Sequence, residues 1–124
     1  MTLPLLPNSL TDGRPTMLGV LGGGQLGRMF VHAAQSLGYE TVVLDPDRHS
    51  PAGRISHHFI ECGYRDPDGL RELAAGAEAS TTEVGNGPAE SRAERARNRP
   101  VAPPAECVAI AQDRVREKAH FARC

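Results

Sequence analysis

Two spacings of apolar side chains govern the first third of this chain. Residues 17–21 (MLGVL) form a short apolar run stopped by three glycines, the profile of a buried parallel strand. Residues 25–37 (QLGRMFVHAAQSL) change period, and Leu26, Met29, Phe30, Ala33, Ala34 and Leu37 fall on one face of a helix. Gly38 is positioned to end that helix. Residues 41–44 (TVVL) are β-branched and apolar, and Asp45-Pro46 closes this second strand. Strand, helix and strand in immediate succession predict a βαβ unit with a right-handed crossover.

The pattern weakens further on. Residues 57–62 (HHFIEC) read as a third strand, and Asp66-Pro67 supplies a cap and first residue for a helix carrying Leu70, Leu73 and Ala74. Residues 79–83 (ASTTE) predict a fourth, less apolar strand. Residues 84–104 are the least foldable part. Gly85, Gly87 and Pro88 interrupt them, and residues 91–99 (SRAERARNR) offer no large apolar side chain. Helical character returns over residues 105–124, with Val108, Ile110, Ala111, Val115, Ala119 and Ala122 apolar. Residues 1–16 are broken by Pro4 and Pro7 and are expected to be a disordered leader, not a signal peptide.

Composition narrows the class. With 124 residues, 40% hydrophobic and 23% charged, the chain suits one globular domain. Aromatics make up only 4%, so small side chains must supply the packing between helix and sheet. A net charge of -1 points to no nucleic-acid partner and no membrane surface. Cys62, Cys107 and Cys124 form no CxxC pair, which argues against a zinc site and suits reduced thiols in a cytoplasmic protein. His57-His58 is not expected to bind a metal, because neighbouring residues on a strand point to opposite faces.

The chemistry concentrates in Gly22-Gly23-Gly24-Gln25-Leu26-Gly27, a G-x-G-x-x-G sequence between a predicted strand and a predicted helix. Glycines permit a tight turn and close approach of a phosphate to backbone N–H groups, and the helix start adds unpaired donors with partial positive charge. Asp45 ends the next strand, where a dinucleotide fold would use it on ribose hydroxyls. Spacing alone therefore makes NAD the default ligand.

Particular residues change that expectation. Residues 18–29 (LGVLGGGQLGRM) resemble the opening of the 5-(carboxyamino)imidazole ribonucleotide synthase family, ATP-grasp ligases of purine synthesis. Three further segments resemble the same family in order: residues 42–53 (VVLDPDRHSPAG), Thr82-Glu83 with Asn86 and Pro88, and residues 110–121 (IAQDRVREKAHF). The resemblance implies an α/β fold, a Rossmann-like pre-ATP-grasp domain with a parallel sheet flanked by helices. That domain is expected over residues 17–104, with residues 105–124 starting a linker helix into an ATP-grasp domain that this chain lacks.

The resemblance also implies the reaction. ATP, with Mg²⁺, phosphorylates bicarbonate to carboxyphosphate, and the amine of 5-aminoimidazole ribonucleotide then takes the carboxyl group. By likeness Gly24, Gln25, Leu26 and Glu83 would line the ribonucleotide site, and Arg114 and Lys118 would contact ATP. No residue here is assigned a catalytic or metal-binding role. Residues 84–88 (VGNGP) depart from the family's F-E-N-V-P core. The expectation is a fragment inactive by itself, with a second copy of the chain kept open as a partner. The competing readings are a small NAD-binding module and a non-catalytic truncated remnant.

Overall fold

The computed structural model describes residues 5–8, 10, 12–83 and 100–124. Among these residues five parallel strands form one sheet: β1 (Met17–Leu21), β2 (Glu40–Asp45), β3 (His58–Glu61), β4 (Ala79–Thr82) and β5 (Val101–Ala102). Their spatial order is β3-β2-β1-β4-β5. The chain therefore builds outward from β1 through β2 to β3, then returns to lay β4 on the other side of β1. This reversal between β1 and β4 opens a crevice at the carboxyl ends of the strands, the usual ligand position in open α/β sheets.

Alternation along the strands divides the core into two layers. Leu21, Val42, Leu44 and Ile60 face α2 (Pro67–Gly76), where they meet Leu70, Leu73 and Ala77. Val20 and Val43 face the other way, toward Val31 of α1 (Gln25–Ser36) and Ala52. The expected face of α1 is corrected here. Gly27, Val31 and Ala34 are its buried residues, while Leu26, Met29 and Leu37 are 62%, 60% and 68% exposed. Small residues face inward because the helix lies close to the sheet, and a Cβ at Gly27 would strike the Gly22 carbonyl oxygen. Gly38 does stop the helix, in the left-handed region at φ 90°.

Asp66 caps α2 as expected, accepting from Asp68 N–H and Gly69 N–H at 2.9 Å each, with Pro67 in the first turn. The C-terminal stretch is two helices, not one: α3 (Ala105–Gln112) and α4 (Arg114–Arg123). Asp113 leaves the helical region at φ -114°, ψ 108°, and its carboxylate caps Val115 N–H and Arg116 N–H. An aspartate favours such a cap because its side chain offers the backbone an alternative to the helical bond. β5 was not expected; Ser80 N–H reaches the Pro100 carbonyl at 2.9 Å and starts the pairing.

The stretch expected as a leader makes definite contacts at its described positions. The Leu5 carbonyl accepts the Tyr39 hydroxyl, and the Leu6 carbonyl accepts the hydroxyl of fully buried Thr16, both at 2.6 Å. Residues 84–99, including the V-G-N-G-P departure and the polar 91–99 stretch, lie outside the described residues.

Candidate functional site

The glycine loop between β1 and α1 is fixed from three directions. Gly22 takes φ 110°, which a side chain would disfavour, and its N–H reaches the Leu44 carbonyl at 2.9 Å. Gly23 N–H donates to Asp45 Oδ2 at 2.7 Å. The Gly23 carbonyl accepts from Ala52 N–H at 2.8 Å, so the loop following β2 grips the same residue from the other side. A Cβ at Gly23 would lie 2.7 Å from Ser50 Cβ and 3.0 Å from Asp45 Cβ, so glycine is required there by packing.

Gly24 differs. Its φ of -68° suits any residue, and a Cβ there would meet nothing within 4 Å. Neither conformation nor packing within the described residues calls for glycine at this exposed position. Gly24 caps α1 without a side chain, and the N–H groups of Gly24, Gln25 and Leu26 find no acceptor among the described residues. The first helical turn thus presents three donors and the positive end of the helix dipole to the crevice.

Opposite this turn, Leu21 pairs with Thr82 and the Leu21 carbonyl accepts from Glu83 N–H at 2.9 Å. Gly24, Gln25 and Leu26 follow β1 directly and Glu83 follows its neighbour β4, so all four lie at the carboxyl end of the sheet. The structure does not bring Arg114 and Lys118 there by any described contact. Both are exposed on α4, which packs on α3, and the Arg114 guanidinium pairs with Glu117 of its own helix.

Asp45 needs correction. The carboxylate that spacing assigned to ribose hydroxyls is only 6% exposed and turned inward. Besides Gly23 it accepts from Asp47 N–H at 2.8 Å and from the Tyr64 hydroxyl at 2.7 Å. Burial pushes the Tyr64 hydroxyl well above the ordinary phenol range, and the hydrogen bond and negative charge of Asp45 push it further. Tyr64 stays a protonated donor across neutral pH. Tyr64 belongs to no motif and stands as a lone tyrosine in a polar turn.

Among the described residues no group of three or more His, Cys, Asp or Glu side chains could hold a metal ion. His57 is engaged with Thr41, whose N–H reaches its Nδ1 at 3.2 Å. Among the same residues no helix is long and apolar enough to cross a membrane.

Comparison with known proteins converges on one family. Residues 16–112 match the ribonucleotide synthetase preATP-grasp domain. The chain is 42% identical over 101 residues to N5-carboxyaminoimidazole ribonucleotide synthase of Brucella melitensis, covering 82% of this chain and 28% of that one. The fold matches N5-carboxyaminoimidazole synthetase of Staphylococcus aureus complexed with ADP, with TM-score 0.83 and 31% identity over 87% of this chain and 30% of that one. It also matches the Aspergillus clavatus enzyme in complex with ADP and 5-aminoimidazole ribonucleotide, with TM-score 0.79 and 32% identity over 87% of this chain and 29% of that one. The chain spans under a third of the length of these relatives.

Proposed function

Because the chain belongs to the ribonucleotide synthetase preATP-grasp domain family, we propose that it forms the acceptor-binding part of an ATP-dependent ligase that carboxylates 5-aminoimidazole ribonucleotide. The observation that carries this reading is the open space at Gly24. A glycine that nothing in the described fold requires, beside three unpartnered N–H groups at a helix start, suits a ligand that approaches the backbone closely. The backbone N–H groups of Gly24 and Leu26 would hold its phosphate. The Gln25 amide and the Glu83 carboxylate have the donors and acceptors that ribose hydroxyls or an amine need.

In the full reaction, bicarbonate activated by ATP supplies the carboxyl group. The amine of the ribonucleotide forms the new C–N bond as phosphate leaves, and the amine proton is released. This chain contributes orientation of the acceptor. Arg114 and Lys118 are the residues proposed to meet ATP, since a planar guanidinium and an ammonium one turn apart suit a polyphosphate. The Arg114–Glu117 pair would have to open for that contact.

The test is a titration of the chain with 5-aminoimidazole ribonucleotide, followed by ¹⁵N–¹H NMR. Shifts are expected at residues 22–27 and at Glu83. Gln25→Ala is expected to weaken binding about threefold to tenfold, the effect of losing one or two ordinary hydrogen bonds. Gly24→Ala should weaken it at least as much, because its methyl group enters the approach. Unchanged affinity in both variants, or no binding by the parent chain, would sink the assignment.

A further inference from the structure

Asp45 at the crevice edge holds more than the glycine loop. Asp45 Oδ2 accepts two donors at 2.7 Å, Gly23 N–H and the Tyr64 hydroxyl, while Oδ1 accepts Asp47 N–H. Tyr64 arrives from the turn between β3 and α2, half-buried, with its ring against the cluster of Leu44, Ile60 and Leu70. A carboxylate ending the second strand of a βαβ nucleotide fold ordinarily takes the ribose hydroxyls of a dinucleotide. A phenol hydroxyl is the same kind of donor as a ribose hydroxyl.

We propose that Tyr64 is a specificity-determining residue: its hydroxyl occupies the acceptor on Asp45 that a ribose would use. The crevice is thereby closed to dinucleotides and left open on the Glu83 side to a ribose 5-phosphate. The exclusion is intramolecular, so it operates at every ligand concentration. It also explains why a chain with a complete G-x-G-x-x-G sequence and a correctly spaced acid is not a dinucleotide module. This inference rests on the proposed ribonucleotide site only for the ligand that is kept, not for the one that is refused.

Calorimetric titration of the parent chain, Tyr64→Leu and Tyr64→Leu/Asp45→Asn with NADH and with 5-aminoimidazole ribonucleotide tests it. Leucine keeps an apolar side chain on the cluster and removes the hydroxyl. Tyr64→Leu is expected to bind NADH at least tenfold more tightly than the parent, with ribonucleotide affinity held within about threefold. Adding Asp45→Asn should abolish the gain. If Tyr64→Leu does not fold, Tyr64→Phe takes its place and is expected to show a smaller gain in NADH affinity. A folded variant with no gain overturns the proposal, as does a gain that survives Asp45→Asn. A parent chain that binds no ribonucleotide, with NADH gained by the variant, removes the proposed function and leaves the exclusion standing.

Discussion

Replacing Gly23 by alanine tests the construction of the glycine loop most directly. The new methyl would lie 2.7 Å from Ser50 Cβ and 3.0 Å from Asp45 Cβ, with Ser50 Oγ closer still. Overpacking of this kind costs about 1–3 kcal/mol. Any shift that relieves it draws Gly23 N–H away from Asp45, and a hydrogen bond to a charged group contributes about 1.5–3 kcal/mol. A combined loss of about 3–5 kcal/mol is large against a total stability of about 5–15 kcal/mol. With a urea dependence near 2 kcal/mol/M, the midpoint should fall by roughly 1.5–2.5 M. Gly24→Ala, where the methyl meets open space, should cost under about 1 kcal/mol. The decisive assay is a double-mutant cycle by urea denaturation with Ser50→Gly, which removes the two nearest atoms. The pair should show a favourable coupling of at least about 1 kcal/mol. Additive effects, or equal losses for Gly23→Ala and Gly24→Ala, would refute the steric account.

Two further outcomes follow from burial. Leu73 is fully buried at the centre of the α2 layer, and Leu73→Ala should cost about 2–5 kcal/mol in thermal or chemical unfolding. Burial raises the Cys62 thiol above its ordinary 9.0 and the Tyr64 phenol above its ordinary 10.0. Groups whose folded values are raised stabilise fully below the unfolded value and lose that contribution as pH rises toward the folded one. Stability should therefore be level up to about pH 9 and decline above it, and Tyr64→Phe should flatten the part above pH 10 in urea midpoints measured against pH.

The sequence made the parallel sheet and the loop legible because both rest on local rules. Apolar runs ending in glycine mark buried strands, and a glycine run opening a helix marks a phosphate-type turn. The inward face of α1 was not legible. Helical spacing placed Ala34 correctly but also suggested Leu26, Met29 and Leu37, whereas close approach to the sheet selected Gly27 and Val31. The break at Asp113 was written in a capping residue, but the apolar residues on both sides obscured it. β5 has two residues and carries no period at all. The position of Glu83 beside the end of β1 follows from strand order, and its expected role came from the resemblance. The Tyr64 bond to Asp45 could not be read, because Tyr64 is distant in sequence and belongs to no motif.

The hub at Asp45 joins three consecutive connections of the chain: the turn after β1, the loop after β2 and the turn after β3. Each would otherwise sample its own conformations, and a ligand would have to restrict them on arrival. Immobilising one flexible side chain at an interface opposes binding by about 0.5–1.5 kcal/mol, and ordering a loop opposes it further. Here that entropy is lost during folding, before any ligand is present. The N–H groups of Gly24, Gln25 and Leu26, unpartnered among the described residues, hang from a preorganised frame, and the contacts they make can appear in the affinity with little deduction.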